Sequence, residues 1–272
     1  MSRAKEQLGL ALRRIGLGPI LDRALLTFEV LRHARANRDF LAAHPDFTPP
    51  PAELAYDAYH HVNWPLYFDT GIAHARYFGA LIRKHADVPS LRFCEWGCGP
   101  ARILRHLRDH LPGCGKVELY GTDYNPETID WCRQHLHGIF FMRNELEPPL
   151  PFEDNFFDAM LVRSVFTHLS AAMHDAWIAE LLRVLKPGGL LIVTTHGDHF
   201  RSMLTTDEAA AYDRGDLATR AAGREGRKTF TAFHPPAYVR GHLLSRFDVV
   251  EHLPGGVGRD MLQDTWIARK RS

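Results

Sequence analysis

The sequence is poor in cysteine and carries no excess of charge of either sign. Four cysteines in 272 residues are too few for a disulfide framework, and 33 basic against 32 acidic residues leave a formal net charge of +1. Nucleic-acid-binding proteins usually carry a clustered basic excess. We therefore expect a protein of the reducing cytoplasm that has no nucleic-acid partner.

Long apolar runs are missing as well. Charged residues interrupt the leucine-rich start of the chain, so no segment reaches the roughly eighteen apolar residues that a membrane span needs. This start reads as a basic amphipathic helix that is broken near Gly16, Gly18 and Pro19. We expect it to dock on the main domain or on a partner subunit, with peripheral contact to an anionic membrane as the alternative. The oligomeric state is left open.

Consecutive prolines mark a boundary in the chain. The segment His44–Pro51 cannot sustain a helix, because its prolines remove backbone donors and constrain their neighbours. We therefore predict a helical extension with its linker over residues 1–51 and a main domain over residues 52–272. The main domain should open with helix from Ala52 to about Asp87.

Apolar, strand-like segments then alternate with amphipathic helical segments. Such alternation with short connections is typical of an α/β fold with a mostly parallel sheet and helices on both faces. Ligands of such sheets bind at the carboxyl ends of the strands. The predicted strands are Leu91–Glu95, Val117–Thr122, Ile139–Met142, Phe157–Val162 and Leu190–Thr195, and the predicted helices are Arg102–Leu111, Glu127–Leu136 and Ala171–Leu185.

The regular pattern lapses near residue 198. Residues 198–232 are polar and charged, which indicates an insertion or lid over the site, or a mobile loop. A helix is predicted over Pro235–Ser245, and a final strand pair over Phe247–His252 and Thr265–Ala268. The sequence contains no internal repeat.

The stretch FCEWGCGPARIL, residues 93–104, joins the first predicted strand to the helix that follows it. A zinc site is disfavoured there, because Cys94 and Cys98 stand alone without a CxxC or HExxH motif, and no metal is predicted. A nicotinamide dinucleotide would need a third glycine where Arg102 stands, and Glu95 would repel its pyrophosphate. A ligand that carries a cationic amine would be attracted instead.

S-adenosylmethionine is a ligand of this kind, with an ammonium and a carboxylate at one end and an adenosine at the other. Glu95 would offset the ammonium, and Gly97 and Gly99 would let the backbone approach the ligand closely. The start of the following helix would present amides to the carboxylate. The residues therefore favour S-adenosylmethionine as the cofactor.

The segment CEWGCGPA resembles the first motif of class I S-adenosylmethionine-dependent methyltransferases, and it departs from that motif only in having Ala101 in place of a third glycine. The resemblance extends over roughly residues 91–270 and is to the small-molecule type, similar to the ubiquinone and menaquinone biosynthesis methyltransferases. It implies a seven-stranded, Rossmann-like sheet whose last strand, Asp264–Arg269, runs antiparallel. It carries little information about the acceptor.

The resemblance also implies roles for particular residues. Asp123 in LYGTDYNPETIDWC would accept the ribose hydroxyls, although it could instead cap the next helix. The segment YFDTG, with Tyr67 and Gly71, would close the pocket over the methionyl end of the cofactor. The full set of predicted cofactor-binding residues is Glu95, Gly97, Cys98, Gly99, Asp123, Tyr124, Asn144, Glu145, Leu146, Arg163, Tyr67 and Gly71.

Two histidines are candidates for the catalytic base. His168 and His196 each follow the end of a predicted strand on the cofactor side, and histidine titrates near neutral pH. A base suits O-methylation of a neutral hydroxyl on a small-molecule or glycan acceptor. Either histidine could instead be a structural hydrogen-bonding group. A non-catalytic adaptor and a nicotinamide-dependent oxidoreductase stay open as other functions.

Aromatic residues also cluster ahead of the first predicted strand. Tyr56, Tyr59 and Trp64 lie close in sequence to His60 and His61. This cluster is either a lid over the substrate or ordinary packing within the domain, and the sequence does not favour one over the other.

Overall fold

The computed structural model describes residues 18–271 apart from 87, 112, 114, 222–224, 227–228 and 257–260. The chain divides into two compact units, Met1–Gly71 and Ile72–Ser272. The division falls inside a continuous helix, so the domain boundary predicted between residues 51 and 52 stays a prediction.

Helices build the first unit. Helix α1 (Gly18–Ala43) ends before the proline-rich linker, which is non-helical as predicted, and α2 (Ala52–Tyr59) follows it. The helix predicted up to Asp87 is interrupted, because His60 adopts a left-handed conformation (φ 59°) and α3 begins anew at Trp64 and ends at His85. Of the residues at the predicted break, Gly16 lies outside the described residues, whereas Gly18 and Pro19 are the first residues of α1.

A seven-stranded sheet forms the centre of the second unit. The strand order is β3-β2-β1-β4-β5-β9-β8, and every neighbouring pair is parallel except those that involve β9. The predicted mostly parallel, Rossmann-like α/β fold is therefore confirmed, including the antiparallel last strand. The strands are β1 (Ser90–Trp96), β2 (Lys116–Asp123), β3 (Ile139–Arg143), β4 (Phe157–Val162), β5 (Leu185–Thr195), β8 (Phe247–Leu253) and β9 (Asp264–Lys270).

The middle strands are buried along most of their length. In β4, every residue except Asp158 is fully buried, as expected of a parallel strand covered on both faces. The core continues into the helices, where Trp96 packs against Trp177 with ring centroids 4.2 Å apart. Strand β5 begins at Leu185, earlier than predicted, because Leu185 already pairs with Phe157.

Three helices connect these strands. They are α4 (Leu104–Leu107, continued by a 3₁₀ turn over Arg108–His110), α5 (Pro126–His135) and α6 (Ala171–Val184). Asn125 caps α5 by accepting from the amides of Glu127 and Thr128. Helix α4 starts later than the predicted Arg102, because Ala101 has a left-handed conformation with φ of 54°.

Where the structure describes it, the predicted insertion at residues 198–232 is folded, unlike the mobile loop that was the alternative. It contains a 3₁₀ segment (Asp198–Met203), α7 (Thr206–Asp213) and a hairpin of β6 (Ala218–Ala221) with β7 (Phe230–Phe233). The helix predicted to follow is only a short α8 (Pro236–Tyr238) and a π-helical turn over Val239–Leu243. Among the described helices, none combines the length and the hydropathy needed to cross a bilayer.

Candidate functional site

The loop that follows β1 is held against the end of β2. The amides of Gly97 and Cys98 both donate to the Thr122 carbonyl, at 2.8 and 2.9 Å. Gly97 has φ of +72°, and a Cβ at this position would collide with the side chain of Val165. Only glycine fits both requirements, so the loop keeps a backbone surface that a ligand can approach.

Glu95 lies at the end of β1 and is almost completely buried, with 3% of its surface exposed. Burial raises the pKa of its carboxyl to about 8, although nearby Arg163 and Arg102 partly oppose this shift. Among the described residues, its Oε2 accepts no hydrogen bond. A buried carboxyl with a free oxygen is suited to a cationic ligand group.

Asp123 ends β2 and ties two loops together. Its Oδ2 accepts from the Gly99 amide at 3.0 Å, and its Oδ1 accepts from the Asn125 amide at 2.9 Å. The helix cap is Asn125, so the alternative reading of Asp123 as the cap of α5 is wrong. Each carboxylate oxygen has further lone pairs, which can accept from hydroxyls of a ligand.

The structure separates the three candidates that follow β3. Asn144 is buried, and within the described part of the chain its Oδ1 has no hydrogen-bond partner. Glu145 is largely exposed and pairs with Arg143 at 3.1 Å. Leu146 is 38% exposed. Of the three residues, Asn144 is therefore the one whose buried polar atom can accept a hydrogen bond from a ligand.

Tyr124 follows Asp123 and reaches the folded insertion. Its hydroxyl donates to the Gly226 carbonyl at 3.2 Å, while the Gly226 amide donates to the His168 carbonyl at 2.9 Å. Gly226 also lies against the side chain of Leu146. Gly226 of the insertion thus connects Tyr124, after the end of β2, with His168, after the end of β4.

His168 and His196 lie beyond the ends of β4 and β5, and both are anchored by strand β7. The Nδ1 of His168 is 2.9 Å from the Phe230 carbonyl, and the Nδ1 of His196 is 3.1 Å from the Ala232 carbonyl. A carbonyl oxygen only accepts, so each Nδ1 carries the proton. When neutral, both rings therefore present Nε2 as a hydrogen-bond acceptor.

Aromatic side chains surround His196. Its ring centroid lies 4.3 Å from that of Phe200 and 5.7 Å from that of Phe233, both from the insertion. Burial, followed by the nearby His168, lowers the pKa of His196 to about 4. This ring is therefore neutral at physiological pH.

Sequence reasoning missed three further residues behind this pair. His174 accepts a hydrogen bond from the Tyr238 hydroxyl (3.1 Å) at Nδ1, donates from Nε2 to the Phe166 carbonyl (2.9 Å), and stacks on His234. Both ring nitrogens of His234 are buried and have no hydrogen-bond partner among the described residues. The alternation of aromatic and small residues over Phe230–Phe233 could have predicted strand β7. His234 directly follows this strand, which brings it next to His174.

Tyr67 and Gly71 belong to the first unit. Tyr67 is fully buried there, within 5.4 to 6.1 Å, centroid to centroid, of Tyr59, Trp64 and Phe47. The aromatic residues ahead of the first strand thus pack within their own unit. The role of Tyr67 and Gly71 towards a cofactor stays a prediction.

The arrangement places three chemical functions at one edge of the sheet. The ends of β1 and β2 carry a buried acid and a second carboxylate, and the ends of β4 and β5 carry two imidazoles. The carboxyl ends of four parallel strands lie together at this edge, which is where such sheets bind ligands. The edge can hold a cationic, ribose-bearing molecule next to a group that donates a proton.

Known proteins share this sequence pattern and fold. Residues 94–193 match the family described as a methyltransferase domain. A fatty-acid O-methyltransferase of Mycolicibacterium smegmatis is 35% identical over 113 residues, and a demethylmenaquinone methyltransferase of Thermus thermophilus is 30% identical over 105 residues. These alignments cover 40% and 38% of this chain, and 38% and 46% of the respective relatives, so this chain spans less than half of their length.

Solved structures agree on the fold. A structure of an S-adenosylmethionine-dependent methyltransferase from Mesorhizobium loti has a TM-score of 0.55 and 16% sequence identity. The superposition covers 73% of this chain and 100% of that chain. At this identity the likeness concerns the fold alone.

Proposed function

We propose that this chain, a member of the class I S-adenosylmethionine-dependent methyltransferases, transfers the methyl group of that cofactor to a hydroxyl oxygen of a small-molecule acceptor. S-adenosylmethionine is the cofactor of this family and supplies a methyl group activated on a sulfonium. Transfer of that group is an in-line displacement, in which the protein aligns the partners, excludes water and removes a proton.

The residues at the ends of β1 and β2 fit this cofactor. The buried Glu95 suits the ammonium, because its Oε2 accepts no hydrogen bond from the described part of the chain. Gly97 leaves the space that a Cβ would fill. Arg163 lies close enough to oppose the pKa shift of Glu95, and we assign it to the cofactor's carboxylate. Asp123 accepts the ribose hydroxyls and Asn144 Oδ1 the adenine amino group. The predicted Cys98, Gly99, Tyr124, Glu145 and Leu146 complete the proposed set.

The observation that carries the choice of acceptor is the anchoring of the two histidines. Because both Nδ1 protons are committed to carbonyls of β7, Nε2 is the unprotonated nitrogen of each neutral ring. A hydroxyl can donate to such a nitrogen and can lose its proton to it. A carboxylate would meet two acceptors and be repelled. The geometry therefore favours a neutral hydroxyl, with His168 as the base and His196 orienting the acceptor.

A carboxylate acceptor is the second candidate, because a relative with 35% identity is a fatty-acid O-methyltransferase. A carboxylate is already ionised at neutral pH and needs no base. In that case alignment alone would suffice, and both histidines would be structural.

The first test concerns the cofactor. Binding of S-adenosylhomocysteine and of NADH is measured by calorimetry, and binding of the former alone is expected.

The second test uses acceptors that differ in one group. Methylated products are sought by mass spectrometry with fatty alcohols, fatty acids of the same chain length, phenols, quinols and sugars. Ethers formed from hydroxyl acceptors support the proposal. Methyl esters alone would favour the second candidate, and cofactor binding without any product would favour an adaptor.

A further inference from the structure

Helix α1 exposes large apolar side chains to an unusual degree. Ile20, Phe28 and Leu31 are 67%, 60% and 70% exposed, and Leu25 and Val30 are about two-fifths exposed. Single exposed apolar residues need no explanation, but several on one helix mark a surface that contacts something apolar.

Three of these five exposed residues form a stripe, and Leu25 and Val30 lie outside it. At about 100° per residue, Ile20, Phe28 and Leu31 lie on one side of the helix, together with Ala24. Farther along the same line the stripe continues with Arg35 and Arg38. We call the six residues Ile20, Ala24, Phe28, Leu31, Arg35 and Arg38 the α1 stripe.

Charge on this side of the helix is mainly positive. Arg32, Arg35 and Arg38 have side chains that are 61%, 90% and 77% exposed. The two acids of the first half, Asp22 and Glu29, lie on the side of the helix away from the stripe, and the Glu29 side chain is only 16% exposed. Asp39 lies on the flank of the stripe and is shared by two arginines. The stripe is thus apolar at one end and cationic at the other.

We propose that the α1 stripe lies on an anionic phospholipid surface. The apolar side chains enter the boundary between headgroups and acyl chains, while the long arginine side chains reach the lipid phosphates. A second copy of this helix is a poorer partner. Parallel pairing would place arginine against arginine, and antiparallel pairing would place Arg38 against Ile20. The guanidinium groups would then be desolvated with no carboxylate beyond the Asp39 that they already share. This inference does not depend on the proposed methyl transfer.

The experiment is co-sedimentation of the full chain with vesicles. Vesicles of phosphatidylcholine and phosphatidylglycerol are compared with vesicles of phosphatidylcholine alone. We expect binding to the anionic vesicles that weakens as salt is added. The double change Phe28→Glu and Leu31→Glu should weaken it by roughly 10–100-fold or more, because two anchoring side chains are replaced by charges.

Matched variants separate the contributions. Arg35→Glu with Arg38→Glu should remove most of the preference for anionic lipid, since each basic residue near such a surface contributes about a fivefold factor. Met203→Glu changes a 52% exposed apolar side chain outside α1 and should leave binding unchanged. Circular dichroism establishes that each variant is folded. Failure to bind either vesicle, or an equal loss with Met203→Glu, would overturn the proposal, as would a dimer in light scattering that Phe28→Glu dissociates.

Discussion

The two halves of the candidate site are built in different ways. At the ends of β1 and β2, the amides of Gly97 and Gly99 bind Thr122 and Asp123 of the adjacent strand, 25 and 24 residues further along the chain. At the ends of β4 and β5, His168 and His196 depend on the carbonyls of β7, 62 and 36 residues further along the chain. The proposed cofactor half, at the ends of β1 and β2, thus joins two adjacent strands, whereas the proposed acceptor half, at the ends of β4 and β5, exists only once the insertion has folded.

The difference also concerns charge. The cofactor half buries an acid between arginines, so it is prepared for a charged ligand. The acceptor half buries histidines whose pKa values are lowered by burial, His174 and His196 both to about 4. It is therefore prepared for a neutral group. If the two halves have these separate roles, variants on one side should change binding and variants on the other should change turnover.

The largest effect is expected from the base. His168→Ala should lower turnover by about 10²–10⁴-fold and leave cofactor affinity nearly unchanged, because proton removal matters only in the transition state. His196→Ala is the matched comparison, since its ring is anchored to the same strand. Steady-state kinetics and calorimetry measure the two quantities. Equal, wild-type rates in both variants would contradict a histidine base.

The pH profile sharpens this comparison. Because the pKa of His196 is lowered to about 4, this ring stays neutral between about pH 5.5 and pH 9. A rise of wild-type activity within that range must then come from another group. We expect the rise to vanish in His168→Ala and to persist in His196→Ala.

Next in size is the loss of the carboxylate on the cofactor side. Asp123→Ala should weaken binding of S-adenosylhomocysteine by about 1–3 kcal/mol, because two ribose hydroxyls lose a charged acceptor. Asp123→Asn keeps one acceptor oxygen, so its affinity for S-adenosylhomocysteine should lie between that of the wild type and that of Asp123→Ala. Since Asp123 also holds the amides of Gly99 and Asn125, thermal unfolding of each variant is the control. Unchanged affinity in a folded Ala variant would break the assignment.

Cofactor binding should also depend on pH through Glu95. Its pKa of about 8 in the free protein means that it is mostly protonated at pH 6, whereas an ammonium requires the carboxylate. Binding must release this proton, so affinity should rise with pH, by up to roughly tenfold per unit below the pKa. Calorimetry between about pH 6 and pH 7.5 measures the slope. In Glu95→Gln the slope should be absent, and a slope equal to that of the wild type would contradict this role.

The smallest effect concerns stability of the acceptor half. Burial lowers the pKa of His234 well below its usual value of 6.5, so below about pH 6.5 the unfolded chain binds a proton that the folded chain does not. Stability is therefore present above that pH and lost as the pH falls, by about 1.4 kcal/mol per unit for each such histidine. His234→Leu should flatten the dependence of the melting temperature on acid pH. The exposed His137→Leu should not.

Prediction from sequence succeeded where structure is local. The strand segments and the loop around Gly97 follow from patterns of a few residues, and the structure confirms them. The antiparallel last strand, which the family resemblance implied, is confirmed as well. It failed at His60 and Ala101, whose left-handed conformations end or delay helices that periodicity alone extends. It also failed in the insertion, where polar composition hid a hairpin and a capped helix.

The sequence by itself determined the fold class, the place of the glycine loop and the positions of both histidines after strand ends, because apolar alternation and the glycine loop are short-range properties of the chain. Only the tertiary structure decided which nitrogen each histidine presents and why Glu95 can stay buried. Those properties arise from the carbonyls of Phe230 and Ala232 and from the arginines near Glu95. Protonation depends on burial and on neighbours brought together by folding, and no pattern of adjacent residues encodes it.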